Sequence, residues 1–295
     1  MKDYLVKAFA YSKTVRLYAA VTTNLVEDAR KIHDTWPAAT AAFGRTLTAS
    51  LIMGALLKGD QSVVIQIDGK GPIGKIIALS NARGEVKGMV SNPHVNLSTN
   101  EGKLAVGKVV GNDGFLRVTK DLKVKDIYTS SSKLQTGEIG DDFAFYFAMS
   151  EQIPSSVGLG VLVSPDGNVI SSGGFILQVL PGVSNETINM LEKNITNMKP
   201  VSDLLQNGFS PEDLINEITK GDYKIIESMD VKYVCDCTLA RFAKGLISLG
   251  EIELQEMIDK DEIVEVICQF CNKKYDFSIS DLRNLKLEAK SSNKD

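Results

Sequence analysis

The chain has 295 residues, of which 43% are hydrophobic and 24% charged, and its formal net charge is −4. This composition is typical of a globular protein of about two domains. The lack of a basic excess argues against nucleic acid as the main partner. The most apolar stretch, residues 38–57, contains Arg45, which favours a buried helix over a membrane span. Because no secretory signal is visible, we expect a cytoplasmic protein with no membrane partner.

The first 180 residues predict a mixed core domain. Val15–Val21 is a predicted strand, and a helix is predicted from Asn24, as its N-cap, to Asp34. Trp36-Pro37 is expected to begin a long helix that Gly59 ends. Later predicted elements are strands at Val63–Ile67, Gly74–Leu79, Glu85–Val90, Val106–Val110, Phe115–Thr119, Val157–Val163 and Val169–Leu180, and a helix at Asp142–Gln152. Glycine and asparagine turns between the closely spaced strands indicate antiparallel pairing, and hence an α+β fold.

Beyond Pro181 the pattern becomes helical. Asn185 is predicted to cap a helix that carries Ile188, Leu191 and Ile195 on one face. Ser210-Pro211 is a strong start signal for another helix. We therefore predict a helical linker over 181–230, between a core domain over 1–180 and a C-terminal domain over 231–295. The apolar faces of the linker need a surface that covers them.

All four cysteines of the chain lie in the C-terminal domain, as a C-x-C pair, Cys235 and Cys237, and a C-x-x-C pair, Cys268 and Cys271. Zinc takes four such ligands tetrahedrally. In a reducing compartment, clustered cysteines bind metal or perform redox chemistry more often than they form structural disulfides. The sequence thus predicts one Zn²⁺ per chain. The long spacer between the pairs departs from a zinc ribbon, and residues 231–295 carry 10 Lys+Arg against 12 Asp+Glu, unlike a DNA-binding finger.

The predicted zinc site has a consequence for stability. A domain of about 60 residues is stable by about 3–9 kcal/mol, whereas a structural zinc contributes about 10–16 kcal/mol. Loss of the metal should therefore unfold the domain. Zinc-bound cysteines are thiolates, the form that oxidants attack, and each has a second cysteine close by in sequence. We expect oxidation to eject zinc and unfold the domain.

Other functions stay open at this point. The zinc could be an inert staple in an adaptor that binds one partner. Cys268 and Cys271 could instead be an oxidoreductase dithiol, although such motifs usually lie near a βαβ unit. The two histidines, His33 and His94, have no nucleophile motif beside them, so a structural or surface role is expected.

The cysteine pattern, at the end of a chain of this length, resembles that of the 33 kDa chaperonin family, heat shock protein 33. Further similar stretches are Thr40–Leu57 with its Gly44-Arg45-Thr46, Gly71-Pro72-Ile73-Gly74, Gly88-Met89-Val90 with Asn92-Pro93, Ser150–Ser155, and Gly173-Gly174-Phe175. The resemblance extends over essentially the whole chain.

This resemblance implies a non-enzymatic, ATP-independent holdase chaperone that is inactive while reduced and zinc-bound. Oxidation would form the disulfides Cys235–Cys237 and Cys268–Cys271, release zinc, destabilise the C-terminal domain and the linker, and expose apolar surface. The activated protein would form a homodimer and bind unfolded or oxidatively damaged client proteins during heat and oxidative stress.

Overall fold

A computed structural model describes residues 2–99 and 103–292 of the chain. Residues 1, 100–102 and 293–295, which fall within the predicted core and C-terminal domains, lie outside this description. The chain divides into two compact units, of which the first ends at Val234 and the second begins at Cys235. Antiparallel sheets with packed helices build the protein, so the predicted α+β class is confirmed.

The first unit contains two sheets and the helices that cover them. Its strands are β1 (Tyr4–Ala10), β2 (Val15–Val21), β3 (Ser62–Asp68), β4 (Lys75–Asn81), β5 (Glu85–Val90), β6 (Phe115–Asp121), β7 (Tyr128–Lys133), β8 (Ser155–Val163), β9 (Val169–Val179), β10 (Tyr223–Asp230) and β11 (Lys232–Tyr233). Its helices are α1 (Thr23–His33), α2 (Pro37–Ala55), α3 (Val106–Val110), α4 (Gly140–Tyr146), which continues into a π-helical turn at Phe147–Glu151, α5 (Asn185–Asn197), α6 (Val201–Gln206) and α7 (Pro211–Thr219).

One sheet has the strand order β10-β1-β2-β9-β8, and the other β11-β5-β4-β3-β6-β7. All neighbours pair antiparallel except β11 and β5, which are parallel. Helix α2 contacts strands of both sheets, and its residues from Ala38 to Ala55 are buried apart from Arg45. Because the helix is enclosed on all sides, it shows no polar stripe. This explains why the apolar residues of this helix lie on all of its sides.

A second apolar cluster fills the opposite face of the first sheet. Leu17 and Phe175 of that sheet pack with Leu191 of α5, Leu204 of α6 and Leu214 of α7. Of the predicted face of α5, Leu191 and Ile195 are therefore covered by the sheet, whereas Ile188 lies outside this cluster. Ser210 caps α7, with Pro211 in its first turn, as the sequence predicts, whereas the cap of α5 is Ser184, one residue before the predicted Asn185.

The segment 181–230 is not helical throughout. Its last part, Tyr223–Asp230, is strand β10, which pairs with β1 at the edge of the first sheet. Strand β1 itself was absent from the sequence prediction. The strand character of β10 depends on this partner, because its side chains are mostly exposed and give no strong pattern of burial.

Three other predictions in the core need correction. Val106–Val110 is a short helix rather than a strand: it buries Val106, Val109 and Val110, and its last carbonyls accept from the amides of Gly71 and Ile73. Helix α2 ends at Ala55, before the predicted Gly59.

The N-terminus of α1 also differs from the prediction. Its N-cap is Thr22, which makes no side-chain cap, and Asn24 lies inside the helix. The buried carboxylate of Asp3 accepts from the amides of Asn24 and Leu25, at 3.2 and 2.7 Å. A residue on another part of the chain thus satisfies the free amides of the helix, a role that short-range sequence signals cannot reveal.

The second unit is a small module. It contains α8 (Leu239–Ile247), α9 (Glu251–Asp259), the antiparallel strands β12 (Val264–Ile267) and β13 (Lys274–Phe277), and α10 (Ile279–Ser292). Among the described residues, no helix combines the length and the apolar character needed to cross a membrane.

Candidate metal centre

Two local structures of the second unit position the four cysteines. Cys235 and Cys237 precede α8, whose N-cap, Thr238, accepts from the amide of Arg241. Cys268 and Cys271 lie in the turn between β12 and β13. There the Cys268 amide donates to Lys273 O at 2.9 Å, and Asn272 adopts a positive φ of 55°. A hairpin turn and a helix start therefore present two thiols each.

The four Sγ atoms lie within 4.8 Å of one another. The Sγ atoms of Cys235 and Cys268 are 3.7 Å apart, and those of Cys237 and Cys271 are 3.3 Å apart. A tetrahedral ion with Zn–S bonds of about 2.3 Å would place its sulfurs about 3.8 Å apart. The thiols are free, and Cys268 is buried. The donor set therefore fits a tetrahedral ion that binds thiolates.

Tyr275 on β13 is a neighbour of the cluster that the sequence prediction missed. Its hydroxyl donates to Cys237 O at 2.9 Å and lies 3.3 Å from Cys237 Sγ. Nothing in the order of residues marks this tyrosine, because its role depends on the hairpin that places it beside the first cysteine pair. In a metal site, such a group orients the ligands that it contacts.

The electrostatics of the cluster differ from one thiol to the next. Burial raises the pKa of Cys235 and of Cys271 above the usual value for a thiol. Burial also acts on Cys237, but hydrogen bonds from Tyr275, and from the other thiols, outweigh it and lower the pKa of Cys237 to about 7. The hydrogen bond with Cys237 in turn raises the pKa of Tyr275 to about 12.

A modest apolar core supports the centre. Leu246, Leu254, Phe277, Leu282 and Leu285 are buried together. Cys237 packs against this cluster, so the position of one thiol depends on the folding of the whole module. The exposed apolar side chains of the module include Ile252, at 73%, and Leu287, at 65%.

The two histidines lie in the first unit, apart from the thiol cluster. His33 is buried and contacts the edge of Phe43, with Nε2 3.2 Å from the hydroxyl of Tyr233. His94 is exposed and pairs with Asp34 at 3.0 Å. Both arrangements agree with a packing or surface role.

Comparison with known proteins shows similarity to one protein family along nearly the whole chain. The Hsp33 protein family matches residues 3–278. The 33 kDa chaperonin of Bacillus velezensis is 49% identical over 287 residues, covering 97% of this chain and 99% of the relative. That of Geobacillus kaustophilus is 51% identical over 292 residues, covering 98% and 99%. The crystal structure of the 33 kDa chaperonin (heat shock protein 33 homologue) from Thermotoga maritima superposes with a TM-score of 0.91 at 34% identity, covering 100% of both chains.

The family match and these relatives place the chain in a class of chaperones, and the thiol cluster gives it a candidate metal centre. The chain belongs to the Hsp33 family.

Proposed function

We propose that the protein is a redox-regulated, ATP-independent holdase chaperone of the cytoplasm. Its four thiols would bind one Zn²⁺ in the reduced, inactive state, in which the ion supplies a tetrahedral crosslink. The observation that carries the proposal is the convergence of the four Sγ atoms within 4.8 Å in a module of small core. The membership of a chaperone family adds independent support.

The switch follows from what the cysteines can do. One peroxide molecule takes two electrons from two thiolates: an S–S bond forms, the O–O bond breaks, and two protons are taken up as two waters leave. Two such steps would give Cys235–Cys237 and Cys268–Cys271, the pairing that the family resemblance implies. A disulfide offers no pair of thiolates to a metal. The oxidised module would therefore lose about 10–16 kcal/mol of metal-derived stability and unfold.

Unfolding of the module would free the adjacent segment, 181–230. The apolar faces of α5, α6 and α7 now rest on the first sheet. If they loosened from it, apolar surface on both sides would become available to unfolding clients and to a second copy of the chain. We propose homodimerisation on activation as part of this mechanism.

The experiment follows metal and activity together. Reduced protein would be assayed for zinc and then treated with hydrogen peroxide at raised temperature, without nucleotide. Zinc release would be read with a chelating dye and client aggregation by light scattering. We expect one zinc per chain, lost as scattering is suppressed. The double variant Cys268→Ser, Cys271→Ser lacks two of the four ligands. It should bind no zinc, leave the second unit unfolded and suppress scattering without peroxide.

The main alternative is a zinc-stapled adaptor without chaperone activity. Zinc loss without suppression of scattering would favour it and contradict the holdase. Peptide mapping of the oxidised protein would test the pairing, and a crosslink between Cys235 and Cys268 would contradict it. Sedimentation before and after oxidation would test dimerisation.

A further inference from the structure

Strand β5 is covered at one edge by a very short segment. In the second sheet its neighbours are β4, which pairs along most of its length, and β11, which pairs only through Lys232 with Glu85 and Tyr233 with Val86. Edge strands present unpaired amides and carbonyls that can accept another strand.

Residues 232–234 satisfy the outward backbone groups of this edge. The amides of Lys232 and Val234 donate to Gly84 O at 3.0 Å and Val86 O at 2.9 Å. Farther along β5, the side-chain hydroxyl of Tyr233 makes the hydrogen bonds that the backbone of a longer strand would make. It donates to the carbonyl of Gly88 at 2.9 Å and accepts from the amide of the same residue at 3.2 Å.

The Tyr233 ring packs beside other rings of the first unit. It lies 6.5 Å from the ring of His33, edge-on, and His33 in turn lies 5.3 Å from Phe43. Gly84, with a φ of +76°, admits the incoming chain, because a Cβ at this position would lie 2.4 Å from Asp230 O. The edge of β5 thus offers backbone hydrogen-bonding groups and, beside them, a place for one aromatic ring.

This cover is continuous with the candidate metal centre, since Val234 is followed directly by Cys235. The ladder has only two residue pairs, so the position of the segment also depends on the chain on either side of it. Before it, Val231 is buried in the core of the first unit, and after it the second unit begins. We propose that unfolding of the second unit releases residues 232–234 and that the uncovered edge of β5 binds an extended segment of a client as an added strand. This rests on the proposed function and adds, beside the apolar surface of 181–230, a second site for the same clients.

The segment that now occupies the edge indicates the class of partner. Residues 232–234 are an extended, parallel stretch bound mainly through its backbone, with one aromatic side chain inserted. Strand addition obtains affinity from main-chain hydrogen bonds, which every polypeptide can make. An aromatic or apolar residue of an unfolded client would occupy the place of the Tyr233 ring. The backbone of a longer added strand would supply the hydrogen bonds that the Tyr233 hydroxyl makes with Gly88. Such recognition suits a protein that must bind many sequences.

Amide exchange of the full-length protein, followed by mass spectrometry, tests the proposal. The probe is carboxymethylated α-lactalbumin, which remains unfolded in native buffer. Residues 85–90 should be protected in the reduced protein, exchange faster after peroxide, and regain protection when the probe is bound. Residues 75–81 of β4 should remain protected throughout and serve as the internal control.

A conservative variant isolates the cover itself. Tyr233→Phe keeps the ring but removes both hydrogen bonds to Gly88 and the contact of the hydroxyl with His33. Exchange of residues 85–90 in the reduced state should therefore rise by at least about 2- to 10-fold, the factor for the loss of a single hydrogen bond. Tyr11→Phe is the matched control, because Tyr11 also donates to a backbone carbonyl, that of Thr219, at 2.7 Å. It should leave residues 85–90 unchanged.

Three results would overturn the inference. First, residues 85–90 could stay protected although residues 275–285 have become labile. Second, residues 85–90 could stay labile when the probe is bound. Third, they could regain protection at high protein concentration without the probe, which would assign the edge to a second copy of the chain. Failure of the holdase itself is recognised separately, by light scattering. If residues 85–90 exchange faster after peroxide but no probe binds, the client site is rejected, while the release of residues 232–234 is supported.

Discussion

A core residue of the second unit that supplies no ligand should control the affinity for zinc. Leu254 of α9 is fully buried, at 0% exposure, in the cluster with Leu246, Phe277 and Leu282. We consider Leu254→Ala, which removes buried methyl groups and leaves a cavity. A change of this kind costs about 2–5 kcal/mol. That is a large share of the 3–9 kcal/mol expected for a unit of about 60 residues.

The effect on zinc follows from the coupling of binding to folding. If the metal-free module is unfolded, the binding of zinc must supply the free energy of folding, and any loss of folding free energy lowers the apparent affinity equally. A cost of 2 kcal/mol or more then weakens zinc binding by at least about 30-fold. If the metal-free module is folded and stable, the same variant leaves the affinity nearly unchanged.

The assay is competition for zinc between a chelating dye and the reduced full-length protein. Leu287→Ala is the matched control, because Leu287 lies on α10 of the same unit but is 65% exposed. We expect a change of less than about twofold for this variant, as for most surface substitutions. Equal affinities for Leu254→Ala and the unchanged protein would refute the view that the metal holds the module folded.

Three further predictions concern single contacts. Tyr275→Phe removes the hydroxyl that bonds Cys237 O and should lower zinc affinity by about 10-fold or more in the same dye competition, as for other groups that orient ligands; an unchanged affinity would contradict this. Asp3→Ala leaves the first amides of α1 without their acceptor and should cost the first unit about 0.5–2 kcal/mol in thermal unfolding, with partial recovery in Asp3→Asn. Glu27 is held by two bonds from Arg30 at 2.8 Å, which lower its pKa from 4.5 to about 2. Its stabilising effect is complete above pH 4.5 and is lost as the pH falls towards 2, so the deficit of Glu27→Gln, about 1–2 kcal/mol at pH 7, should shrink over that range. A deficit that is independent of pH would exclude the charge as its cause.

Local signals in the sequence account for much of the first unit. The close spacing of the strands and the glycine and asparagine turns located the β3–β4–β5 meander, and Ser210 with Pro211 located the start of α7. These features depend on residues close together in the chain, where period and turn chemistry are decisive. The wrong predictions concern segments whose structure depends on residues far away in the chain. Val106–Val110 has the composition of a strand but forms a helix, because Gly71 and Ile73 supply partners for its carbonyls.

For the candidate site, the sequence by itself determined which residues are involved. Four cysteines in two close pairs favour metal binding or thiol redox chemistry over structural disulfides in a reducing compartment. Family resemblance follows from the same residues and from the stretches around Arg45 and Gly88.

Only the tertiary structure decided how these residues are placed and what surrounds them. It brings together thiols more than 30 positions apart, puts Tyr275 beside Cys237, and seats Tyr233 on Gly88, 145 residues away in the chain. Such contacts depend on how hairpins, helices and sheet edges meet, and they leave no periodic trace in the sequence. The type of each residue determines which reactions it can undergo, whereas the fold determines which other residues lie next to it.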